Sequence, residues 1–553
     1  MDRCDTVSGP RWRIADRRLL FDDDAVLLLG GQLHNSSASS TASIVRGFER
    51  ASGLGANVVI APVYWDLFEP HEGSFDPSLV DRLLAEADRV DLRLVLLWFG
   101  AFKNAASTYA PRWVRADPKR FPRAQVSGEI RPAFTYAGAT HKPVLSVFSD
   151  SLRHADGAAF ARFMQFLADH ALRDRVAMVQ IENEVGLLAD SRDRSDVAAA
   201  AWSSPVPKEF SRFLSGAASD SSAKRLWQAA GERSSGTWQE VLGEGWEADE
   251  VFMAWGFATY VESLAARGAA IWPVPFYANA WLGPQPGQDR AGQYPSGGPG
   301  ARVLDVWRAG APSLAMLSPD IYVDDAAPVV EAYAAGESTL FVPECRVRAG
   351  DIATALAAGA IGWSAFGVED IRLGSQVSQL LSHLTQIESS LARAQRERRV
   401  AAVVLGPTVE TARFTLGGYE VDARGTRALF ERMLLDAGVG HPTVEPDPPD
   451  ETDADAAMRS PHDTRPFGLI IDEGEDSFLV LGQALTLDFF HPDATVEYDS
   501  VVEGSFVEGE WVAGRALNGD ERLRVLPLDG VGAVRIRLVR VAGVRPDGDR
   551  DAD

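Results

Sequence analysis

The sequence of 553 residues is poor in cysteine and in long apolar stretches, and each shortage excludes a class of protein. With only two cysteines, Cys4 and Cys345, a disulfide framework and a cysteine-based metal site are both excluded. Because no run of about 18 apolar residues occurs, we expect no membrane span. The N-terminal residues are charged and lack the apolar core of a signal peptide, so we expect a cytoplasmic protein.

Positive charge is also scarce. The chain has 54 Lys and Arg residues against 78 Asp and Glu residues, which gives a formal net charge of −24. Nucleic acids and anionic membrane surfaces would be repelled by this charge, so we expect neither as a partner. The nine histidines do not form a cluster with acidic residues. We therefore expect no catalytic metal and no cofactor.

Eight short apolar runs alternate with helical segments along the first 400 residues. Short, continuously apolar runs are typical of parallel strands that are covered on both faces. Eight strand–helix units predict a closed (β/α)8 TIM barrel of the α/β class, and the alternative, an open doubly wound sheet, lacks its glycine-rich loop after the first strand. The predicted strands are Ala25–Leu33, Ala56–Tyr64, Arg93–Phe99, Val176–Glu182, Val274–Ala278, Ser313–Tyr322, Thr339–Pro343 and Ala360–Phe366.

Three of the predicted helices have clear sequence signals. Asp76 and Pro77 open one helix, with the aspartate as N-cap and the proline at the first helical position. Ala158–Leu172 carries apolar residues at helical spacing, and a final helix, Gln376–Glu397, closes the barrel. Residues 100–150 and 186–267 form long connections after the third and fourth strands, where insertions shape and cap the active site of a barrel.

The texture of the sequence changes after residue 397, where alternating patterns predict strands. We assign residues 1–397 to the barrel with a short N-terminal extension, and residues 398–545 to a smaller, mostly-β C-terminal domain with one helix near Thr426–Ala437. The Pro- and Asp-rich segment 441–466 is predicted to be a mobile loop, and residues 546–553 a frayed tail. This domain could bind carbohydrate or cover the active site; we expect it to pack on the barrel and to support a homo-oligomer.

The strongest chemical signal is a carboxylate at the end of each of two predicted strands. Gln180–Glu184 (QIENE) ends the fourth strand, and Glu344 ends the seventh. Alternation along a strand starts Glu182 and Glu184 on the same side. Either strand-end glutamate alone could be a solvated or ion-paired residue, but two at one rim indicate catalysis, and two carboxylates suffice for glycoside hydrolysis. A separation of about 5–5.5 Å gives retention and about 6.5–9.5 Å gives inversion.

Several longer stretches resemble a known enzyme family. Gly30–His34 (GGQLH), Gly55–Asp76 and QIENE resemble the clan A glycoside hydrolases, above all the β-galactosidases of glycoside hydrolase family 35 and more loosely family 42. A bacterial family 35-like branch with an appended C-terminal β domain is the most similar, through Gly30–Ser40, Ser318–Asp325 and Val507–Glu521. The resemblance runs from about Leu20 to Val541.

This resemblance implies a retaining mechanism on a small carbohydrate substrate, with Glu184 as general acid/base, Glu344 as nucleophile and Asn183 at the sugar 2-hydroxyl. Two nearby carboxylates do not both ionise easily, so Glu184 is expected to hold its proton while Glu344 is charged. Family 35 enzymes also carry a galactose-contacting Glu after the third strand. That Glu is missing from Lys103–Ser107 here, so a β-glucoside, β-xyloside, β-fucoside or α-L-arabinoside stays an alternative to a β-galactoside, as does a non-catalytic carbohydrate-binding protein.

Further residues at the predicted strand ends are candidates for binding the substrate. Tyr322 could donate a hydrogen bond to Glu344, and the two tryptophans could form an apolar platform for a sugar face, although a barrel Trp is often a core residue. The lysine is notable because lysine is rare in this chain. The candidates are Tyr322, Tyr64, Trp363, Trp281, Lys103, Asn104 and His34.

Overall fold

The computed structural model describes residues 11–131, 143–406, 411–439, 465–519, 521 and 525–542. Cys4 and the tail predicted at 546–553 lie outside the described residues, and so does nearly all of the loop predicted at 441–466. No helix within the described ranges has the length and apolar character needed to cross a membrane.

Eight parallel strands form the barrel, which confirms the predicted fold class. Hydrogen bonds join each of the first seven strands to the next one along the chain, and the eighth strand pairs with the first. A bridge between Val342 and Trp363 joins the seventh strand to the eighth and closes the barrel. Every residue of β5 and of β7 is buried, which explains why the runs are continuously apolar. The strands are β4 (Leu28–Gln32), β5 (Val58–Tyr64), β6 (Arg93–Lys103), β7 (Val176–Asn183), β8 (Phe276–Trp281), β9 (Met316–Ile321), β10 (Glu344–Cys345) and β11 (Gly362–Phe366).

Fifteen helices accompany the barrel in the described residues, and five of them, α6 to α10, fill the long connection after the fourth barrel strand. The bounds are α1 (Thr41–Gly53), α2 (Trp65–Phe68), α3 (Ser78–Arg89), α4 (Arg112–Arg115), α5 (Asp150–Asp169), α6 (Asp196–Trp202), α7 (Lys208–Gly216), α8 (Ser222–Ala229), α9 (Trp238–Leu242), α10 (Trp246–Ile271), α11 (Leu304–Gly310), α12 (Ala327–Ala334), α13 (Ala349–Ala357), α14 (Gln376–Leu384) and α15 (Glu388–Arg396).

Three details of the predicted helices are wrong. The final helix is interrupted by a 3-10 turn at Thr385–Ile387, which separates α14 from α15. The helix predicted at Ala158–Leu172 begins already at Asp150, where the Ser149 hydroxyl caps it. In α3 the N-cap is Pro77, and the Asp76 carboxylate instead accepts a hydrogen bond from the N–H of Ser78 at 3.0 Å.

A small antiparallel sheet precedes the barrel and was not predicted. It consists of β1 (Trp12–Ala15), β2 (Arg18–Phe21) and β3 (Asp24–Val26). The predicted first run, Ala25–Leu33, is therefore two strands, of which only β4 belongs to the barrel. The indole N–H of Trp12 donates to the carbonyl of Asp174 at 2.7 Å, which ties this sheet to the segment before β7.

The C-terminal domain contains a six-stranded and a three-stranded antiparallel sheet around a core of its own. The six-stranded sheet has the order β12-β15-β16-β20-β18-β19, and β13, β14 and β17 form the other. The elements are β12 (Val400–Val404), β13 (Thr411–Leu416), β14 (Tyr419–Gly425), α16 (Thr426–Asp436), β15 (Phe467–Gly474), β16 (Ser477–Gln483), β17 (Leu485–Phe490), β18 (Ala494–Val507), β19 (Glu510–Ala516) and β20 (Gly532–Ala542).

The C-terminal sheets pack against the last helices of the barrel. Leu469 and Leu481 belong to the same apolar core as the barrel, and the carboxylate of Asp351 on α13 pairs with Arg465 at 3.4 Å. The side chain of Gln379 on α14 accepts a hydrogen bond from the N–H of Val531 at 2.7 Å. Apolar burial, an ion pair and a hydrogen bond therefore all join the two parts.

Candidate active site

The two glutamates at the end of β7 point to different neighbours. Glu182 and Glu184 both have positive φ angles, 60° and 45°, so the backbone is not extended there. The Glu182 carboxylate accepts the N–H groups of Ala101 at 3.0 Å and Phe102 at 2.7 Å, on the bulged part of β6. The N–H of Glu184 instead donates to Asn279 on β8 at 2.9 Å. The expectation that strand alternation keeps both carboxylates on one side is therefore wrong.

Glu182 belongs to a buried network between β6 and the helices. Its neighbour Asp156 on α5 accepts hydrogen bonds from the Trp98 indole and the Tyr260 hydroxyl, both at 2.8 Å. Burial and the proximity of Asp156 raise the pKa of Glu182 well above its ordinary value. A side chain at Gly100 would lie 2.8 Å from the carboxylates of Glu182 and Asp156, so only glycine leaves room for this pair.

Glu344 opens β10 and is held by two donors from neighbouring strands. The Tyr322 hydroxyl donates to one carboxylate oxygen at 2.7 Å, and Nε2 of Gln32 on β4 donates to the other at 2.8 Å. The residue is in register with Asp320 on β9. Hydrogen bonds to both oxygens favour the charged form of a carboxylate and fix its orientation.

The structure brings Glu184, Asp320 and Glu344 together. One carboxylate oxygen from each lies within 4.8 Å of the others. The three residues are nearly enclosed, with exposed fractions of 6% for Glu184, 2% for Asp320 and 5% for Glu344. The predicted pair of glutamates therefore shares one small, largely dry site with a third acid.

Burial and mutual repulsion shift the acidity of this group. Burial, followed by the charge of Glu344, raises the pKa of Glu184 to about 7, and Lys103 acts in the opposite direction. Burial and the charges of Glu344 and Glu184 raise the pKa of Asp320 well above its ordinary value. Both shifts favour the protonated forms of Glu184 and Asp320.

An amide network holds the predicted sugar-binding residues of β6 and β7. Oδ1 of Asn183 accepts hydrogen bonds from Gln180 at 3.0 Å and from Asn279 at 3.2 Å, and its Nδ2 donates to Asn104 at 3.3 Å. Lys103 also donates to Oδ1 of Asn104. Because the Asn183 oxygen is fully occupied, its second N–H is the group left to donate to a ligand.

Two of the predicted aromatic residues lie at the rim near the acids. Tyr322 as a whole is 39% exposed, although its hydroxyl reaches down to Glu344. Trp281 ends β8, is half-buried and is in register with Asp320, so the two side chains share a face of the sheet. Both positions are suited to contact a sugar that enters from the rim.

Trp363 lies on the other face of its strand. In the pairing of β11 with β4, Trp363 is opposite Leu29, whereas Phe366 is opposite Gln32. The side chain of Gln32 reaches Glu344 inside the barrel, so Phe366 shares the inner face and Trp363 faces the helices. The expected platform at Trp363 therefore does not point to the acids, and the half-buried Phe366 is the inward aromatic of this strand.

His34 and Tyr64 are engaged away from the acids. The imidazole of His34 bonds the carboxylate of Asp370 at 2.6 Å. The Tyr64 ring stacks on Tyr109 with centroids 5.3 Å apart, and its hydroxyl accepts the N–H of Ala38 at 3.2 Å. Neither side chain has a described contact with the carboxylates.

Sequence reasoning missed three residues of the site: Gln32, Asn279 and Asp320. Asn279 is the hub, since its amide donates to Asp320 at 2.6 Å and to Asn183 and also accepts from the backbone of Glu184. Asp320 carried the same signal as Glu344, a carboxylate near the end of an apolar run, and the signal was visible in SPDIY. Gln32 and Asn279 are single amides in apolar strands, a weaker signal.

The site can perform acid–base and nucleophilic chemistry, because it pairs a protonated carboxyl group with a carboxylate that two donors orient. The same three acids are also the described residues that offer a set of oxygen ligands to a hard cation. A catalytic metal was not expected from the sequence, and that expectation remains a prediction.

Comparisons with known proteins find one matching family model and several similar solved structures. A family model described as a domain of unknown function, DUF5597, matches residues 377–527, which is less than half of the chain. No curated protein matches the sequence. Among solved structures, the β-galactosidase from Bacillus circulans sp. alkalophilus is similar, with a TM-score of 0.44 and 14% identity over 66% of this chain and 57% of that chain.

Two further β-galactosidases are similar in structure to the same extent. The enzyme from Rahnella sp. R3 has a TM-score of 0.42 and 16% identity over 66% of this chain and 56% of that chain. The enzyme from the haloarchaeon Halorubrum lacusprofundi has a TM-score of 0.40 and 14% identity over 67% of this chain and 58% of that chain. The matched part spans less than two thirds of the length of each of these enzymes.

Proposed function

We propose that this protein is a retaining exo-β-glycosidase that hydrolyses small β-glycosides by double displacement. The observation that carries the proposal is the closeness of Glu184 and Glu344, since one carboxylate oxygen of each lies within 4.8 Å of the other. This closeness favours the short separation of about 5–5.5 Å that suits direct attack on the anomeric carbon over the about 6.5–9.5 Å of an inverting pair. The near enclosure of both residues suits a terminal sugar rather than the interior of a chain.

In the first step, Glu344 attacks the anomeric carbon while Glu184 protonates the leaving oxygen. The glycosidic bond breaks, the leaving group departs as an alcohol, and a glycosyl ester forms on Glu344. The raised pKa of Glu184, about 7, keeps the required proton on most molecules below neutral pH. The hydrogen bonds from Tyr322 and Gln32 hold the attacking carboxylate in place.

In the second step, Glu184 acts as the base. Ester formation removes the negative charge of Glu344, which is one of the causes of the raised pKa of Glu184. Glu184 therefore becomes more acidic, loses its proton to the leaving group, and accepts a proton from water as that water attacks the anomeric carbon. The sugar is released with its original configuration, and both glutamates return to their starting states.

The sugar is proposed to lie against Asn183, Lys103 and Asn104 on one side and Tyr322 and Trp281 on the other. The free N–H of Asn183 would donate to the 2-hydroxyl, a contact that strengthens in an oxocarbenium-like transition state. The half-buried Trp281 offers an apolar surface to one face of the sugar.

A β-galactoside is the first candidate substrate, on the basis of the sequence resemblance to family 35. The family's galactose-contacting Glu is missing here from the matching stretch Lys103–Ser107. The Lys103 ammonium lies 4.9 Å from the centre of the Phe99 ring, and its charge lowers the pKa of Glu184. Loss of that anion changes which hydroxyl pattern is bound. Aryl β-glucosides, β-xylosides, β-fucosides and α-L-arabinosides therefore belong in the same assay panel.

Glu184→Ala and Glu344→Ala, assayed on that panel, test the proposal. We expect each variant to lose at least about 10²-fold in kcat, since acid–base and nucleophilic groups contribute at least that much. Azide should restore turnover of Glu344→Ala with inverted product. Glu182→Gln, in the neighbouring buried network, serves as the control for a general loss of structure. Turnover within about tenfold of wild type in both alanine variants would contradict the proposal, and binding of sugars without turnover by the wild-type protein would favour a carbohydrate-binding protein.

A further inference from the structure

Asp320 is a third acid of the site, and the double-displacement mechanism needs only the other two. It lies 2% exposed on β9, with one carboxylate oxygen within 4.8 Å of oxygens of both Glu184 and Glu344. Its Oδ2 accepts a 2.6 Å hydrogen bond from Asn279, and its Oδ1 is buried without a hydrogen-bond partner among the described residues. A buried carboxylate oxygen that accepts no hydrogen bond costs more when the group is charged than when it is protonated.

The charges around Asp320 favour the protonated form. Glu344 receives two hydrogen bonds, from Tyr322 and Gln32, so the negative charge of the site is best placed there. Lys103 is the cation that opposes the repulsion between the acids. One ammonium group cannot offset three ionised carboxylates in a site this dry.

The described groups whose pKa the charge of Asp320 affects include no second cation beside Lys103. They are phenols and a thiol on β8, β10 and α12 and directly after β9, and burial raises the pKa of each, so they stay neutral. These groups are Tyr277, Tyr322, Tyr333 and Cys345.

Resting on the proposed function, we infer that Asp320 is a positioning residue that keeps its proton through the catalytic cycle and donates a hydrogen bond to the Glu184 carboxylate. In the first step the proton of Glu184 goes to the leaving oxygen, and the resulting anion accepts the Asp320 O–H. In the second step Glu184 takes a proton from water and the Asp320 proton stays where it was. Asp320 thus stabilises the base form of Glu184 without exchanging a proton with the substrate.

A protonated Asp320 and an ionised Asp320 would shift the pKa of Glu184 in opposite directions. A donor next to Glu184 lowers the pKa of that residue and opposes the effect of burial. An ionised Asp320 would act in the opposite direction, because a second negative charge raises the pKa of a neighbouring acid. The direction in which a neutral replacement moves the basic limb of the pH–rate profile therefore distinguishes a protonated from an ionised Asp320.

The test is the pH dependence of kcat/KM for wild type, Asp320→Ala and Asp320→Asn. The alanine variant loses the donor, so its basic limb should move up by about one pH unit, the size expected for one hydrogen bond to a charged group. The asparagine amide still donates, so its limb should stay within about half a unit of wild type. A downward shift in both variants, or no shift in either, would overturn the inference. Asp325→Asn, which removes an exposed carboxylate five residues along the chain, should leave the profile unchanged.

A spectroscopic measurement covers the case in which Asp320→Ala does not fold. Difference infrared spectra of wild type and Asp320→Asn at pH 8.5 should show the C=O band of one protonated carboxylic acid that only the wild type has. If the band is missing, Asp320 is ionised and the inference fails. Failure of the proposed function is distinguishable, since Glu184→Ala and Glu344→Ala would then stay active whatever the Asp320 variants show.

Discussion

The Tyr322 hydroxyl donates a 2.7 Å hydrogen bond to Oε1 of Glu344, although the residue as a whole is 39% exposed. We predict that Tyr322→Phe lowers kcat by about 10- to 100-fold, because the nucleophile loses one of the two donors that orient it. The melting temperature should change by little, since the ring keeps its packing. Steady-state kinetics and thermal melting measure both quantities.

Tyr419→Phe is the matched control for this change. It removes a hydroxyl that donates a 2.7 Å hydrogen bond to Asp476 in the C-terminal domain. Its kinetics should equal those of wild type. Equal activity of both variants would mean that the Tyr322 hydroxyl does not support the nucleophile.

Gln32 provides the second donor to Glu344, at 2.8 Å. Replacing its amide with a carboxylate tests whether Glu344 must carry the negative charge of the site. Gln32→Glu replaces that donor with a fourth acid, so we expect about a 10²-fold loss of kcat/KM at pH 8. At pH 5 the introduced acid is more fully protonated, and the loss should be smaller. A loss that does not depend on pH would indicate a steric rather than an electrostatic effect.

The proposed function predicts a pH profile for the wild-type protein from the acidity of Glu184. Because the first step needs the protonated form and burial raises the pKa of Glu184 to about 7, kcat/KM should fall with a slope of one proton above about pH 7. Glu184→Gln should remove this basic limb from whatever activity remains on a substrate with a good leaving group. If the variant still loses activity at high pH, the basic limb belongs to the titration of another residue.

The same group predicts a change in stability. Its pKa rises from an ordinary value of 4.5 to about 7 in the folded protein, so the folded state binds this proton more tightly than the unfolded state. Its contribution is complete below pH 4.5 and is lost as the pH rises through 7. Glu184→Gln should therefore raise the free energy of unfolding by about 3 kcal/mol at pH 8 and by little at pH 4.5. Denaturant titrations at both pH values measure this, and an equal effect at both would contradict it.

Much of the barrel was readable from the sequence because a parallel strand covered on both faces must be apolar throughout, as β5 and β7 are. The C-terminal domain was less readable. Strand β18 is mostly half-exposed and β19 mostly exposed, and neither has a clean alternation of buried and exposed residues, so Ala494–Val507 and Glu510–Ala516 were not predicted. Strand β18 forms a hairpin with β19, and its pairing with β20 is a long-range contact that local pattern does not encode.

Site residues could be predicted where a charged residue interrupts an apolar run. They could not be predicted where the direction of the side chain determines whether a residue reaches the site. Glu184 and Glu344 were predicted from their strand ends, and the structure brings their carboxylates together. Alternation does not tell which face of a strand is inside, and the pairing of β11 with β4 places Trp363 on the opposite face from Phe366. Alternation also fails at the left-handed φ angles of Glu182 and Glu184, which point the two carboxylates to different networks.

The most direct test of the proposed mechanism is trapping of the covalent intermediate. The protein is incubated with a 2-deoxy-2-fluoro β-glycoside that carries an activated leaving group, and the intact protein and its peptides are then weighed by mass spectrometry. We predict one adduct per chain, located on Glu344. An adduct on another residue, or no adduct while the parent glycoside is hydrolysed with inversion, would contradict the account.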